Sequence, residues 1–339
     1  MGAGGIGYRE VMSTQTTDAL VVTEHGGSDV LQVQSREVGR PGPGQLLVQV
    51  AAAGVNFIDT YQREGVYPVP TPFVLGSEGA GVVLAAGEGV TTAAEGDRVA
   101  WSQTLGSAAG LVLVPENDVV PVPEPVHLEQ AAAVMLQGMT AHYLVNSTFA
   151  VQAGDTVLVH AAAGGVGQLL VQLAKAKDAT VIGTVSSEEK AAKVRALGAD
   201  HVLNYTEVSD LAAAVRELTG GVGVEVVYDG VGKATFDASL DSLRRRGMLV
   251  VFGGASGQVP PFDLQRLNRG GSLFVTRPTL AHYIDTRHDL LARAGAVLNG
   301  LAFGGLQVEI GGRYPLAEAQ RAYSDLEGRH STGKLLLIP

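Results

Sequence analysis

Val157-Leu158-Val159-His160-Ala161-Ala162-Ala163-Gly164-Gly165-Val166-Gly167, continued by Gln168-Leu169-Leu170-Val171-Gln172-Leu173-Ala174-Lys175, decides the fold. An apolar, β-branched run enters a glycine-rich turn, and apolar residues at helical spacing leave it. That order reads as a strand, a tight loop and a helix N-terminus. The N–H groups and positive dipole end of such a helix suit the pyrophosphate of a dinucleotide. In the register G-x-G-x-x-G, Ala162 holds the first glycine position and Gly164 and Gly167 the others. A glycine turn alone also closes ordinary loops. Here a second apolar run, Thr180–Val185, follows one helix length later and completes a βαβ unit. Gly164, Gly165, Val166 and Gly167 are the expected pyrophosphate contacts.

The end of the second strand selects the cofactor. NAD sites place an acid there, about 20 residues past the fingerprint, to hold the ribose 2′-hydroxyl. This chain has Val185-Ser186-Ser187 and then Lys190. Hydroxyls and a cation suit a 2′-phosphate, so NADPH is expected. The plainer alternative is that Ser186 or Ser187 caps the next helix and Lys190 is a solvated charge. Glu188 and Glu189 fall in the first turn of that helix, where acids are favoured by the dipole.

The 339 residues leave room for two domains. With 46% hydrophobic and 17% charged residues, the composition is that of a globular chain. The net charge of −10 and the lack of a basic run argue against nucleic acid as the main partner. Arg244-Arg245-Arg246 reads as a turn before a strand at Met248–Phe252. No cysteine is present, which removes disulfides, thiolate catalysis and cysteine-ligated zinc, and agrees with the cytoplasmic location expected here. No apolar run reaches the ~20 residues that span a bilayer, so no membrane partner is expected. Met1–Tyr8 lacks the features of a signal peptide. Residues 1–18 are expected to be a mobile extension, with Met12 an alternative start.

Short β-type runs fill the first third: Ala19–Thr23, Leu31–Glu37, Gln45–Ala53, Gly79–Ala86, Gly96–Val99 and Gly110–Pro115. Turn signals such as Pro41-Gly42-Pro43-Gly44 separate them. A helical stretch, Leu128–Val145, then leads into alternating strands and helices from Thr156 to Phe252, which predicts a doubly wound parallel sheet. Phe252 and Gly253 lie at the carboxyl edge of its strands, where ligands sit. A helix at Leu316–Glu327 and a strand at Lys334–Ile338 close the chain.

Several segments together resemble the quinone oxidoreductases of the zinc-independent branch of the medium-chain dehydrogenase/reductase superfamily, the ζ-crystallin-like group. They include Ala53–Tyr61, Gly76–Gly81, Gly96–Val99, His160–Gly167, Gly198–Asp200 with Asn204-Tyr205, Val227–Gly232, Val275–Pro278, Tyr314–Leu316 and Gly333-Lys334. The resemblance runs from about Ala19 to Pro339. It implies an α/β protein in which a Rossmann domain (136–275) is inserted in a partly antiparallel, GroES-like catalytic domain (19–135 and 276–339). It also implies an active site in the cleft between them, and a homodimer joined through sheet edges near Gly271–Val275. Zinc-dependent relatives carry Gly-His-Glu where this chain has Gly76-Ser77-Glu78, so no metal is expected and Glu78 reads as a structural acid.

Hydride transfer leaves the chemistry to the cofactor, while the protein orients it, excludes water and polarises the acceptor. By resemblance, Asn56, Tyr61 and Tyr67 lie near the nicotinamide and substrate. Asn56 would hold an amide or acceptor oxygen, and the tyrosines would donate hydrogen bonds or stack on a flat ring. The bland alternative places both tyrosines at the domain rim. Thr140 would lie near the nicotinamide, while Ser186, Lys190, Tyr205 and, more distantly, Arg329 would surround the 2′-phosphate. His160 reads as a buried, hydrogen-bonded residue and not as a base. The expected activity is NADPH-dependent reduction of a quinone. The alternatives are reduction of an activated C=C bond in a conjugated carbonyl compound, and an NADPH-binding structural protein without turnover.

Overall fold

The computed structural model describes residues 14–328 and 331–339. The chain begins with β1 (Gln15–Val22), β2 (Leu31–Val38), β3 (Gln45–Gly54), α1 (Phe57–Arg63), β4 (Phe73–Val74), β5 (Glu78–Ala86), β6 (Arg98–Ser102), β7 (Leu111–Pro115), β8 (Val119–Pro121) and α2 (Leu128–Tyr143). It continues through β9 (Thr156–Val159), α3 (Gly165–Lys175), β10 (Thr180–Val185), α4 (Glu188–Ala196), β11 (His201–Asn204), α5 (Leu211–Leu218), β12 (Val224–Asp229), α6 (Phe236–Ser242), β13 (Leu243–Val251), α7 (Gln265–Arg269) and β14 (Phe274–Thr276). It ends with α8 (Arg287–Ala302), β15 (Ile310–Pro315), α9 (Ala319–Glu327) and β16 (Lys334–Ile338). Among the described residues no helix is long and apolar enough to cross a membrane.

Two compact units result. The first takes the chain up to Leu136 together with Thr286–Gly305 and Glu309–Pro339; the second takes Gln137–Asp285 with Leu306–Val308. In the first unit a seven-stranded sheet runs β15-β16-β3-β5-β6-β8, with β7 also on β3, beside a three-stranded sheet β2-β1-β4. Most pairs are antiparallel; β15 and β16 are parallel. Both ends of the chain feed one core, in which Leu46, Val48 and Trp101 meet Tyr323, Leu335 and Leu337. Burying each such aliphatic side chain stabilises by about 1.5–3 kcal/mol. Trp101 Nε1 donates to Ser107 Oγ at 2.8 Å, so the indole is buried with its polar group satisfied.

The second unit holds the parallel sheet, in the order β11-β10-β9-β12-β13-β14. β9 lies inside it, with β10 on one side and β12 on the other. Val157, Leu158 and Val159 are all buried, as expected of a strand covered on both faces. The strand order reverses at β9, which makes the carboxyl ends of β9 and β12 the switch point where ligands sit in open sheets.

Four differences from the sequence reading have physical causes. β1 starts at Gln15, which pairs with Val38, so residues 15–18 of the expected extension are strand. Their polar character goes with alternating half-buried and exposed positions at the start of the strand. Residues 1–13 lie outside the described residues. The second boundary between units falls at Asp285/Thr286 and not at 275/276. Tyr283 accounts for this: its ring stacks on Tyr143 at 4.1 Å and its hydroxyl bonds Thr148 Oγ1 at 3.0 Å. Arg244–Arg246 belongs to β13, in an irregular stretch between the Val224↔Leu243 and Val226↔Met248 pairs. Finally, α8 and β15 have no counterpart among the expected elements.

Candidate active site

In the second unit the glycine turn follows β9. Ala161 adopts φ 49°, the left-handed region that L-residues enter at a cost of about 1–3 kcal/mol. Gly164 N donates to Ala161 O at 2.9 Å and Ala162 N to Thr184 O at 3.0 Å, closing the turn against β10. Gly164 is the N-cap of α3 and has no side chain to occupy the helix end. The first i→i−4 bond of α3 runs from Gln168 N to Gly164 O at 2.9 Å. The N–H groups of Gly165, Val166 and Gly167 precede it and point out of the helix start, as an anion site requires. A Cβ on Gly167 would stand 2.4 Å from Ala161 O and 2.7 Å from Ala162 Cα. That glycine therefore sets the close approach of helix to strand.

Ser186 and Tyr205 follow the ends of β10 and β11, and Lys190 lies in the first turn of α4. Tyr205 N donates to Val185 O at 3.0 Å, which sets the half-exposed tyrosine beside the end of β10. Ser187 is the N-cap of α4 and accepts from Lys190 N at 3.3 Å, so the capping alternative holds for Ser187. Glu188 is exposed and pairs with Arg195, whose hydrogen bond holds its carboxyl below the ordinary range. Glu189 lies 4.0 Å from Lys193. Phe252 and Gly253 follow β13 and both donate backbone N–H to Asp229 O, at 2.9 and 3.4 Å. Thr140 is buried on α2. Arg329 lies outside the described residues.

In the first unit Asn56 is the N-cap of α1, in a reciprocal capping box with Asp59. Its side chain is buried. Nδ2 donates to Glu78 Oε2 at 2.8 Å and to Gly54 O at 3.2 Å, while Oδ1 accepts from Lys334 Nζ at 2.6 Å. Lys334 Nζ also reaches Glu78 Oε2 at 2.6 Å, and Glu78 Oε1 accepts from Leu136 N at 2.6 Å. The pair is fully buried. Such a pair offsets its desolvation only when the remaining lone pairs are bonded, and here Asn56 and Leu136 do that. A Cβ on Gly54 would lie 2.2 Å from Glu78 Oε2, so the network also fixes that glycine.

Asp59 completes the centre. Its Oδ2 accepts from Asn56 N at 2.9 Å and Tyr323 Oη at 3.0 Å; Oδ1 has no partner among the described residues. Burial pushes its carboxyl up to about 7, against the pull of Asn56 N–H, Tyr323 and Lys334. At the other end of α1, buried Arg63 binds Glu327 Oε1 at 2.7 Å and Gly26 O at 3.0 Å. The helix is thus pinned at both ends, and on it Tyr61 makes an edge contact with the Tyr67 ring at 5.4 Å. Tyr61 is partly buried and Tyr67 is 37% exposed, so the pair offers an aromatic face and hydroxyls near the surface.

Two family models match the chain: the GroES-like domain of alcohol dehydrogenases over residues 42–124, and the zinc-binding dehydrogenase domain over residues 165–288. A quinone oxidoreductase of Pseudomonas aeruginosa is 46% identical over 317 residues, 93% of this chain and 97% of the relative. A 2-haloacrylate reductase of a Burkholderia species is 43% identical over 329 residues, 95% and 98% of the two chains. The structure of the Escherichia coli quinone oxidoreductase complexed with NADPH superposes with a TM-score of 0.93 at 42% identity, covering 96% and 100% of the two chains. The second family description names zinc, and the donors here do not fit it. The chain has no cysteine, Ser77 precedes Glu78, and the Glu78 carboxylate is bonded to Lys334, whose ammonium would repel a cation.

Proposed function

This chain belongs to the zinc-independent quinone oxidoreductases of the medium-chain dehydrogenase/reductase superfamily, and from that premise we propose that it reduces quinones with NADPH. The observation that carries this reading is the glycine turn at the switch point of the parallel sheet. Beside it is a strand end that offers Ser186, Lys190 and Tyr205 where NAD sites carry an acid. The bound cofactor supplies the hydride. Gly164–Gly167 present backbone N–H groups to its pyrophosphate. Ser186, Lys190 and Tyr205 receive the 2′-phosphate, and Thr140, Phe252 and Gly253 are the further cofactor contacts.

Tyr61 and Tyr67 meet the acceptor, their rings against its flat face and their hydroxyls toward its oxygens. Asn56 serves as a positioning residue: it caps the helix that carries Tyr61. The working form is a cytoplasmic homodimer joined through β14, an edge strand on which Phe274 is 55% exposed; sedimentation at micromolar concentration tests the dimer. A second reading, reduction of an activated C=C bond, is favoured by the similarity to the 2-haloacrylate reductase. Steady-state NADPH oxidation with 1,4-benzoquinone, 9,10-phenanthrenequinone, 2-cyclohexenone and 2-chloroacrylate separates the readings. Quinones should give the higher kcat/KM. Turnover of none of them would leave a binding protein without catalysis.

A further inference from the structure

Beneath the glycine turn runs a buried polar chain that touches no surface. His160 is 2% exposed, Thr184 1%, and Asp229 and Ser239 0%. His160 Nδ1 lies 3.1 Å from Thr184 Oγ1, and Nε2 lies 3.0 Å from Ser239 Oγ. Ser239 Oγ donates to Asp229 Oδ2 at 2.9 Å. At one end Thr184 Oγ1 accepts from Ala161 N at 3.3 Å. At the other, Asp229 Oδ2 also takes Thr235 Oγ1 at 2.7 Å, while Oδ1 takes Val231 N at 2.8 Å and Gly232 N at 2.9 Å.

The proton positions follow from the inventory of donors. The Asp229 carboxylate only accepts, so the single hydroxyl proton of Ser239 points at it. Ser239 can then only accept from the ring, and Nε2 must carry a proton. Burial lowers the His160 pKa, against the opposing pull of Asp229, so the ring is neutral and Nδ1 is bare. Nδ1 accepts from the Thr184 hydroxyl, whose oxygen accepts from Ala161 N–H. Every bond runs in one direction or ends on the carboxylate, and each group in the chain has a partner.

We infer that His160 is a positioning residue of the cofactor site, the centre of a hydrogen-bonded chain that holds the glycine turn in register with the loop after β12. The inference rests on the reading of that turn as the NADPH site. The chain joins the ends of three adjacent strands, β9, β10 and β12, at their carboxyl edge. One terminus is the amide of Ala161, the residue held in the left-handed region at the start of the turn. The other is the pair of amides, Val231 and Gly232, that opens the β12 loop. A buried polar chain is costly unless fully bonded, and when fully bonded it specifies one geometry.

Two measurements test it. In apo protein with 15N-labelled histidine, the His160 ring should show a protonated Nε2 and a bare Nδ1; the Nδ1–H ring would overturn the chain and the inference with it. In fluorescence titrations well below the unfolding temperature, Thr184→Val and His160→Phe should each weaken NADPH about tenfold, equivalent to about 1.4 kcal/mol. Thr184→Ser, which keeps the hydroxyl, should bind within about twofold of wild type. A merely structural role would lower the thermal midpoint and leave the affinity of the folded protein unchanged, which would refute the positioning role. Wild-type protein that does not bind NADPH would instead refute the functional reading beneath it. Should Thr184→Val not fold, Ser239→Ala breaks the same chain from the other side and is read in the same way.

Discussion

Gly164 and Gly167, three residues apart, should fail in opposite ways when each is changed to valine. A Cβ at position 167 would meet backbone, 2.4 Å from Ala161 O and 2.7 Å from Ala162 Cα. Neither atom can swing aside, so α3 or the turn must shift. Overpacking costs about 1–3 kcal/mol, and a backbone contact belongs at the top of that range. For a unit of this size each kcal/mol lowers the thermal midpoint by roughly 2–4 °C, so Gly167→Val should lose about 6–12 °C. At position 164 the Cβ meets only Ala161 O, at 3.2 Å, and the backbone at φ −77° and ψ 168° is open to any residue. Gly164→Val should therefore cost under about 1 kcal/mol of stability. Its branched side chain stands at the helix start, and NADPH should bind at least tenfold more weakly, about 1.4 kcal/mol. Scanning fluorimetry and a cofactor fluorescence titration on both proteins give the four numbers needed. Wild-type NADPH affinity in Gly164→Val would refute the reasoning, because the turn would then be a structural loop only.

Further outcomes follow from the other sites. NADPH should bind at least tenfold tighter than NADH, about 1.4 kcal/mol, and Lys190→Ala should weaken NADPH while leaving NADH nearly unchanged; equal affinities in a titration would reject the 2′-phosphate assignment. Exhaustive chelation should leave activity intact, and one zinc per chain in elemental analysis would contradict the reading of Glu78. Asp59 is held at about 7 in the folded chain against 3.8 unfolded, so between those values the unfolded chain releases a proton that the folded chain keeps. Stability falls as pH rises through that window, by an upper limit of roughly 4 kcal/mol. Asp59→Asn does not titrate, so its midpoint relative to wild type should climb from pH 5 to pH 8; a constant difference would show that Asp59 is ionised throughout. Lys334→Met leaves Glu78 buried without its cation and should cost about 3–5 kcal/mol in denaturant unfolding, part of which Lys334→Met with Glu78→Gln should recover.

The parallel sheet was readable because its signals are local. Strands buried on both faces read as unbroken apolar runs, and the glycine turn between Val159 and Val166 marks where one of them ends. α8 carries a local signal too: Thr286 caps it, accepting from Asp289 N at 3.1 Å, three residues on. β15 had none, since Gly311, Gly312 and Pro315 argue against a strand, and only its position at the sheet edge tolerates them. The buried centre was harder still. Glu78 was expected to be a structural acid, but its partner Lys334 is 256 residues away, and a lone lysine in sequence looks like any solvated one. Nor does the sequence disclose that the Asn56 amide binds Glu78 and Lys334, 22 and 278 residues away.

The ion pair of Glu78 with Lys334 also bears on how the chain is made. Residues 137–285 are contiguous and, with only 306–308 added later, form their own unit. They can therefore fold soon after they leave the ribosome. The segment before them cannot finish. Until β16 arrives to pair with β3, Glu78 has no cation, and until α9 arrives Asp59 has no Tyr323 hydroxyl. Strands β3 and β5 must wait through the synthesis of some 250 residues with two carboxylates facing what will become the interior. Those charges oppose premature collapse of the N-terminal segment, because burying an unpaired carboxylate is costly. α9 and β16 then act as a latch, and the tyrosine-bearing helix α1 takes its final place only once both have been made.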